Sequence, residues 1–468
     1  MSLVLILLLI VLFIVAATAH FKLNPFLTLL CAAFIAAFAY GLPLRDIEST
    51  IRGGFGNIMG NIGLVIVLGT LIGVILERTG AAITMARSII SLLGERFPLL
   101  TMSLVGYMVA IPVFCDSGFV ILNSLKRSLA RSLKTSPVAM SVALSTGLFA
   151  THTLVPPTPG PIAAAGNLGI GGNLGVVMVA GLAFALLAAF SGLLWARRCG
   201  NLRSNELAEE QMAGKERATA EGHNAPSQPC AGASAELPAY LPSSLPPPLL
   251  AFMPIVLPIL LICLGSVANF PTEMLGRGAL YEALNFLGKP MIALLVGLGF
   301  ALFLLRAGNR LQSLGECTEA GIKIAAPILL VTGAGGAFGA VLAATPLGDY
   351  LGSSLSALGL GVLVPFLVAA ALKSAQGSST VAMVAGSALI APLLGQLGLD
   401  SDAGRVLCVM AIGAGAMTVS HVNDSYFWVV SQFSRMDVAT AVRAHTLATL
   451  MMGLVTISAV WLSALILL

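Results

Sequence analysis

The sequence predicts an all-α polytopic membrane protein, and three properties of the 468-residue chain support this prediction. Hydrophobic residues make up 57% of the chain and charged residues only 9%, whereas soluble domains usually carry about 25% charged residues. Apolar stretches of helix length recur from residue 3 to residue 468. These runs are continuous, whereas the strands of a membrane β-barrel alternate in polarity. About a dozen crossings and broken half-crossings, at roughly 20 residues for a full crossing, fit within the chain.

Charge and cysteine content limit the partners, metals and cofactors that the sequence predicts. The apolar runs make the lipid bilayer a predicted partner. The net charge of +4 is small and scattered, so nucleic acid is not a predicted partner. The seven cysteines are odd in number and lack any C-x-x-C spacing, so neither a disulfide framework nor a zinc site is expected. No cofactor is predicted. The first apolar run lacks a preceding Lys or Arg, which favours a retained helix over a cleaved signal peptide.

The first half of the chain alternates apolar runs with polar interruptions. Residues 44–57 carry four charged side chains, which is typical of a short surface helix. Positive charges at residues 126–134 and 197–203 mark candidate cytoplasmic loops, although they leave the membrane orientation open. The predicted apolar spans of this half are residues 3–19, 25–41, 58–76, 99–113, 138–149 and 174–196.

Two polar breaks interrupt the helices of the first half. The run at residues 99–113 ends at a break around Asp116 and Gly118, and the apolar piece after it is too short to span. This pattern predicts a re-entrant hairpin, which is allowed where its free backbone groups are buried in protein or line water. The second break follows Thr151 and His152, where four prolines fall within six residues. Because proline removes a backbone donor and clashes with the preceding turn, we expect an unwound segment there.

Composition changes abruptly between residues 201 and 248. This segment is rich in Glu, Ala, Ser, Gln and Pro, which predicts a flexible hydrophilic linker. It separates a first membrane repeat, residues 1–200, from a second, residues 249–468, within one membrane domain. The apolar segments of the second half are residues 249–267, 290–305, 320–343, 361–372, 381–394, 406–419 and 439–468.

The two halves present similar features in the same order. The matched positions are the glycine pairs Gly69/Gly73 and Gly335/Gly339, the breaks at Asp116 and Gln376, and the histidines His152 and His421. Paired interrupted segments at corresponding positions point to a transporter binding site near the membrane midplane. We therefore predict two inverted repeats, each with a re-entrant hairpin and an unwound helix.

Asp116 is the first candidate site residue. It is the only acidic residue between Glu95 and Glu206. A carboxylate at membrane depth could bind a proton or a cation. In the alternative interpretation, Asp116 caps the first helical turn through the amides of Ser117 and Gly118.

A second candidate site combines a cation, an amide, hydroxyls and a glycine at a helix break. Its residues include Lys373, Gly377, Ser378, Ser379 and Thr380. A carboxylate suits such a cradle, because helix N-termini donate to anions and lysine supplies positive charge. In the alternative interpretation, Lys373 extends to a surface and the hydroxyls bond back to the helix.

A third candidate site, with His421, Asn423 and Asp424, separates the last two apolar runs. An ionisable group at membrane depth costs several kcal/mol unless it faces a partner or a wet cavity. His421 and Asp424 are three residues apart and would share a face on a helical turn. The apolar run that follows carries only Arg443 and His445 as basic residues.

Together, these motifs resemble those of the gluconate permease family, the gluconate/proton symporter group of the ion-transporter superfamily. The resemblance rests on residues 151–161, 377–382 and 420–428 and covers nearly the whole membrane part. It implies proton-coupled symport of a small hydroxylated monocarboxylate across the inner membrane, and no enzymatic reaction. It also implies inverted repeats, paired hairpins and a dimeric elevator arrangement, so a homodimer is expected.

The resemblance to this family implies a role for each candidate residue. The expected substrate ligands are Thr151, His152, Lys373, Gly377, Ser378, Ser379, Thr380, His421 and Asn423. Lys373 and the backbone amides of residues 377–380 would hold the carboxylate, and the other ligands would bind hydroxyls. Asp116 or Asp424 is expected to carry the coupling proton, and no metal ligand is expected.

The chain departs from the gluconate type in ways that leave the substrate open. Where this chain has Asp116, gluconate-type members have Glu. Where it has Thr158, they have His. A shorter acid and an extra hydroxyl would reshape the pocket. The expected substrate is therefore a gluconate-like sugar acid or a glycerate-like hydroxy acid, and the alternatives are a D-serine-type amino acid or sodium-coupled carboxylate symport.

Two other functional classes fit the sequence less well. A membrane-embedded enzyme could use His421 and Asp424 as a base pair, but no serine-nucleophile or metal-site spacing accompanies them. A channel would not need two broken repeats. A secondary transporter is therefore the prediction.

Overall fold

The computed structural model describes residues 2–21, 23–94, 96–202, 245–268, 278–308, 310–345, 361–422 and 424–468. Within these ranges the regular structure is helical and contains no strand. Seven helices there are long and apolar enough to cross a membrane. The prediction of an all-α membrane protein is therefore confirmed. The count of about a dozen crossings, the inverted repeats and the re-entrant hairpins stay predictions.

The predicted linker lies mostly outside the described ranges, since residues 203–244 are not among them. The division into two repeats at residues 201–248 likewise stays a prediction. Before this segment the helices are α1 (Ser2–Val15), α2 (Pro25–Ala39), α3 (Leu44–Ile58), α4 (Leu64–Arg78), α5 (Ala81–Leu93), α6 (Pro98–Val109), α7 (Cys115–Ser132), α8 (Pro137–Leu154), α9 (Pro159–Asn167) and α10 (Leu174–Arg198).

Further helices lie in the described residues after the predicted linker. They are α11 (Pro248–Ala268), α12 (Ala279–Leu287), α13 (Pro290–Ala307), α14 (Leu314–Ala343), α15 (Leu363–Gln376), α16 (Ser379–Ile390), α17 (Asp402–Met417), α18 (Ser425–Phe433), α19 (Val438–Ala441) and α20 (Leu447–Leu467). A π-helical turn, Val442–Thr446, joins α19 to α20.

The prediction of a separate surface helix at residues 44–57 was wrong. A π-helical turn, Met59–Gly63, joins α3 to α4, and the resulting helix runs without interruption from Leu44 to Arg78. One face of α3 is buried at Ile47, Ile51, Gly54 and Ile58. These residues recur every three or four positions, so they form one stripe, and the stripe packs against α14. Its charged residues occupy the other face, which is why composition alone suggested a surface helix.

The two halves of the chain are packed into each other. Helix α14 of the second half contacts α2, α3 and α4 of the first. Helix α16 lies beside α9, where the Asn167 amide donates to the Val384 carbonyl at 3.1 Å. Helix α17 contacts α8. The breaks of one half therefore lie close to those of the other.

Asp116 and Gly118, predicted to lie in a break, belong instead to the first turn of α7. Non-helical segments lie at or near the four predicted breaks, at residues 110–114, 155–158, 377–378 and, on both sides of residue 423, 418–422 and 424. Each is followed at once by the N-terminus of a helix, at Cys115, Pro159, Ser379 and Ser425. The free N–H groups of a helix N-terminus carry partial positive charge and favour anions.

The break near the proline run is shorter than predicted. Helix α8 continues through Thr151 and His152 and ends at Leu154. Pro159 is the first residue of α9, a position where proline is tolerated because its missing N–H would be unpaired anyway. The prolines therefore limit the unwound segment to residues 155–158, and His152 lies in a helical turn.

Candidate functional site

A buried ion pair lies at the centre of the candidate site. Lys373, in the last turn of α15, places Nζ 2.5 Å from Asp424 Oδ2, and both side chains are almost fully buried. The same Nζ donates to the Gly377 carbonyl at 2.9 Å. The interpretation of Lys373 as a lysine that reaches a surface is therefore wrong. Burying two charges costs several kcal/mol per ion before their attraction is counted, so this pair is a functional candidate.

Asp424 is held by two further hydrogen bonds. Ser420 Oγ donates to Asp424 Oδ2 at 2.5 Å, and the Tyr426 N–H donates to Oδ1 at 3.1 Å. The second bond makes Asp424 the N-cap of α18. His421 and Asp424 do not share a helical face as predicted, because residues 418–422 and residue 424 are not helical. Asn423, the other predicted ligand in this segment, lies outside the described residues.

His421 points towards the other break of the second half. Its Nε2 lies 3.1 Å from the Ser374 carbonyl oxygen, one residue after Lys373. The carbonyl accepts only, so Nε2 carries the hydrogen in this arrangement. His421 therefore connects the segment at residues 418–424 to the end of α15.

The break at residues 377–378 is shaped by a glycine and a cap. Gly377 has a φ of 79°, in the left-handed region, and its N–H donates to the Lys373 carbonyl at 2.8 Å. Glycine adopts this conformation without steric cost. Ser378 then caps α16 by accepting from the Val381 N–H at 3.3 Å. The Ser378 side chain is thus used by the helix, while Ser379 is buried and Thr380 half-buried in the first turn of α16.

Asp116 lies in the first turn of α7 and faces the ion pair. Its Oδ1 is buried and has no hydrogen-bond partner in the described part of the chain. It is close enough to Asp424 and Lys373 to interact electrostatically with both. The Gly118 N–H donates to the Phe114 carbonyl at 2.8 Å instead of to Asp116, so the capping interpretation gains no support.

His152 approaches the same centre from the first half. It is 7% exposed, and its Nδ1 is among the buried atoms without a hydrogen-bond partner in the ranges described. Phe149, one turn earlier on α8, places its ring centroid 5.5 Å from Lys373 Nζ. Thr151 is fully buried, and its hydroxyl lies 3.5 Å from the Leu148 carbonyl. The structure therefore brings His152 and Asp116 to the Lys373–Asp424 pair.

Gln376 belongs to the polar string after Lys373 but was not among the ligands expected from the sequence. Both polar atoms of its amide are buried, and neither has a hydrogen-bond partner among the described residues. Gln376 is three positions after Lys373 on α15, so the two side chains share a helical face. A buried amide with no partner costs about 1–3 kcal/mol per group. Its place beside Lys373 in the polar string was the available sequence clue.

His445 and Lys126 were also missed. His445 is fully buried, with Nδ1 3.2 Å from Ser145 Oγ and Nε2 3.2 Å from Ser420 Oγ. A histidine inside the last apolar run could have been flagged on membrane depth alone. Lys126, predicted to mark a cytoplasmic loop, is instead fully buried in α7, and its Nζ donates to Ser141 Oγ at 2.9 Å.

Comparisons with known proteins agree with the helical membrane fold. The model of the family described as GntP family permease matches residues 1–466. The gluconate permease of Pseudomonas aeruginosa is 30% identical over 465 residues, which cover 97% of this chain and 96% of that protein. The D-serine transporter DsdX of Escherichia coli O6:H1 is 32% identical over 456 residues, with coverage of 96% and 95%.

A third relative and a solved structure complete the comparison. The inner membrane permease YgbN of Escherichia coli K12 is 31% identical over 445 residues, covering 94% of this chain and 93% of that protein. The crystal structure of the YdaH transporter of Alcanivorax borkumensis superposes with a TM-score of 0.65 at 16% identity, covering 94% of this chain and 98% of that one. At this identity the structural match supports the fold alone.

Proposed function

Because this chain belongs to the GntP family of permeases, we propose that it is a proton-coupled symporter for a small hydroxylated monocarboxylate. Membership makes it a multi-pass transporter of the inner membrane and not an enzyme. The observation that carries the proposal is the buried Lys373–Asp424 pair. Gluconate-like sugar acids and glycerate-like hydroxy acids are the substrates we favour.

In this proposal the substrate carboxylate replaces Asp424 as the partner of Lys373. The Gly377 N–H is already bonded to the Lys373 carbonyl, so the amides of residues 378–380, at the N-terminus of α16, add the partial positive charge for the anion. Gln376, whose amide has no hydrogen-bond partner in the described part of the chain, donates to the same carboxylate. Thr151, His152, His421 and Asn423 bind the substrate hydroxyls.

Charge balance explains why a proton must accompany the substrate. Lys373 and Asp424 neutralise each other when the site is empty of substrate. If a substrate anion takes Lys373, Asp424 becomes an unpaired buried carboxylate, and an uncompensated buried charge costs about 3–5 kcal/mol. A proton on Asp424 removes this cost. Substrate and proton therefore bind together, which is the condition for symport.

Asp116 is the second candidate for the coupling proton. Its unpartnered Oδ1 faces the same centre, so it either takes the proton or binds a polar group of the substrate. In the symport proposal, Asp116→Asn or Asp424→Asn abolishes uphill accumulation while exchange across the membrane continues. The variant that does so identifies the coupling carboxylate.

A D-serine-type amino acid is the second candidate substrate, favoured by one observation. The buried Asp116 Oδ1, which has no hydrogen-bond partner in the described ranges, would bind an ammonium group, while Oδ2 accepts from Cys115 Sγ at 3.9 Å. The 32% identity to DsdX points the same way. Sodium remains an alternative coupling ion, since unwound carbonyls and a carboxylate can also coordinate it. A homodimer with elevator-type movement belongs to the same proposal.

The test is uptake into proteoliposomes that contain the purified protein. The panel comprises radiolabelled gluconate, glycerate, lactate and D-serine, each under an imposed pH gradient, with and without a sodium gradient. We expect one hydroxy acid to accumulate with the pH gradient alone and to leak out when a protonophore is added. Accumulation of D-serine would favour the amino-acid alternative. Accumulation that requires the sodium gradient would identify sodium, instead of the proton, as the coupling ion. If no substrate accumulates under any of the gradients, the proposal is wrong.

A further inference from the structure

A continuous hydrogen-bonded chain leads away from the ion pair. It runs from Asp424 Oδ2 to Ser420 Oγ at 2.5 Å, from Ser420 Oγ to His445 Nε2 at 3.2 Å, and from His445 Nδ1 to Ser145 Oγ at 3.2 Å. Ser420 and His445 are fully buried, and Asp424 is nearly so. The proposed substrate site uses Asp424 but gives Ser420, His445 and Ser145 no role.

The donor and acceptor roles along the chain are constrained. Ser420 donates its single hydrogen to the Asp424 carboxylate, so it can only accept from His445 Nε2–H. At the other end, Ser145 Oγ has two acceptors in reach, His445 Nδ1 and the Val142 carbonyl at 3.1 Å. A neutral His445 accepts the Ser145 hydrogen at Nδ1. An imidazolium instead donates from Nδ1 to Ser145, whose hydrogen then goes to Val142.

His445 can therefore gain a proton with no change beyond the rotation of one hydroxyl. The other groups that face it are aromatic or belong to the ion pair. Tyr426 contacts the imidazole edge-on at 5.4 Å between ring centroids, and Phe427 lies at 6.5 Å. Lys373 and Asp424 act on it electrostatically with opposite sign. Arg443, two residues earlier, is exposed, and its carbonyl accepts from Trp195.

The backbone around the chain is fixed from both sides. Thr446 Oγ1 donates to the Ser420 carbonyl at 2.6 Å, and the Ser420 N–H donates to Thr449 Oγ1 at 3.0 Å. Val419, next to Ser420, has a φ of 56°, a left-handed conformation that is rare for a β-branched residue. His445 itself lies in a π-helical turn, a feature frequent at functional sites. These contacts hold Ser420 between Asp424 and His445.

We propose that His445 is a proton-holding residue of this transporter and that Asp424, Ser420 and His445 form one relay. The inference rests on the proposed proton symport. Before substrate binds, Asp424 pairs with Lys373. When the substrate carboxylate takes Lys373, the proton that enters with the substrate binds His445 and passes through Ser420 to Asp424, whose charge it cancels.

The transfer conserves every hydrogen bond of the relay. The imidazolium Nε2–H bond breaks and its proton joins Ser420 Oγ, while the Ser420 O–H bond breaks and its proton joins Asp424 Oδ2. The products are a neutral imidazole with hydrogen on Nδ1, an intact serine hydroxyl that donates to Nε2, and a neutral carboxylic acid that donates to Ser420. One positive and one negative charge disappear, and no electrons are exchanged.

The decisive experiment compares His445→Gln with the unmodified protein in proteoliposomes, using the substrate identified by the uptake panel. Glutamine retains an amide donor and acceptor but binds no proton in this pH range. We expect substrate exchange to stay within about twofold, while accumulation driven by the pH gradient falls by about 10²-fold, the scale on which positioned proton transfer acts. The dependence of exchange on pH should also become weaker than in the unmodified protein. Thr456→Val, which removes a buried hydroxyl bonded within α20, is the matched control and should leave both rates unchanged.

A second pair of variants tests the relay in case His445→Gln fails to fold. Ser420→Ala breaks the relay and should lose accumulation but keep exchange, whereas Ser420→Thr keeps the hydroxyl and should keep both. Full accumulation in His445→Gln or Ser420→Ala would overturn the relay while symport stands. Equal loss of exchange and accumulation in both would assign the residues a structural role and would also overturn it. If the unmodified protein fails to accumulate any substrate, the failure lies in the proposed function instead.

Discussion

At the scale of single residues, unsatisfied polar atoms and one ion pair determine what the centre of the molecule can bind. The Lys373–Asp424 pair supplies one buried positive charge, whose partner the substrate carboxylate replaces in the function we propose. Around it, Asp116, His152 and Gln376 keep buried polar atoms without hydrogen-bond partners in the described chain. Because such atoms are costly in a folded protein, their convergence near one charge is better explained by a ligand than by packing.

Gln376 gives the sharpest residue-scale prediction. Gln376→Leu removes two unpartnered polar atoms, so the free energy of unfolding should stay the same or rise by about 1 kcal/mol. Substrate binding should weaken by tenfold or more, since loss of a hydrogen bond to a charged group costs about 1.5–3 kcal/mol. A thermal melt in detergent and the half-saturation concentration of exchange measure the two effects.

Gln396→Leu is the matched control for this prediction. Its Oε1 is also buried without a partner in the described ranges, but it lies in the segment after α16 and outside the candidate site. Exchange should be unchanged in this variant. An unaltered half-saturation concentration in Gln376→Leu would remove Gln376 from the substrate site.

At the scale of helices, α4 supports both breaks of the first half. Gly69 lies against Pro157, and Gly73 lies against the Pro112 carbonyl, with no space for a side chain at Gly73. In the second half, the matched glycines Gly335 and Gly339 lie against α16. Small residues at these positions let a long helix approach a broken one closely. The sequence analysis identified the glycine pairs, but only the packing shows what they contact.

Gly73→Ala should therefore disturb the break at residues 110–114. The new methyl group would meet the Pro112 carbonyl oxygen, which belongs to the backbone and cannot swing away, so we expect a loss of about 1–3 kcal/mol of stability. Exchange should fall as well, because Asp116 follows this break directly. Gly56→Ala on the same long helix is the control, since nothing lies within 4 Å of the added carbon. It should be neutral or stabilising by up to about 1 kcal/mol, and equal melting temperatures for the two variants would contradict this account.

At the scale of the whole molecule, the two halves depend on each other. Helix α14 packs against three helices of the first half, and α16 packs beside α9. The candidate site also needs both halves, because Asp116 and His152 come from the first while Lys373 and Asp424 come from the second. A single folding unit is therefore expected even though the chain between the halves is predicted to be a linker.

Cutting the chain between residues 203 and 244 tests this expectation. With an inserted protease site in this segment, we expect the two fragments to elute together on size exclusion in detergent and to retain exchange activity. The free energy of packing between the two halves should far exceed the entropic contribution of the covalent connection. That contribution varies only as the logarithm of loop length. Separation of the fragments without denaturant would show that the linker holds the halves together.

The sequence by itself determined the membrane class, the transporter family and the approximate positions of the four breaks. These follow from local properties: apolar runs long enough to span, prolines and glycines that interrupt helices, and strings of polar residues at the interruptions. Local pattern also located Asp116, Lys373 and Asp424, because an ionisable residue in an apolar run is conspicuous wherever it occurs.

Only the tertiary structure decided which of these groups meet. Lys373 and Asp424 are 51 residues apart, and His445 is 25 residues from Ser420 and 300 from Ser145. Helical periodicity relates residues three or four positions apart and carries no information on such pairs. For the same reason, charge alone predicted Lys126 to lie in a loop, whereas packing buries it inside α7. Helix packing brings these polar groups out of lipid and next to one another, and that contact makes a buried charge stable enough to serve as a site.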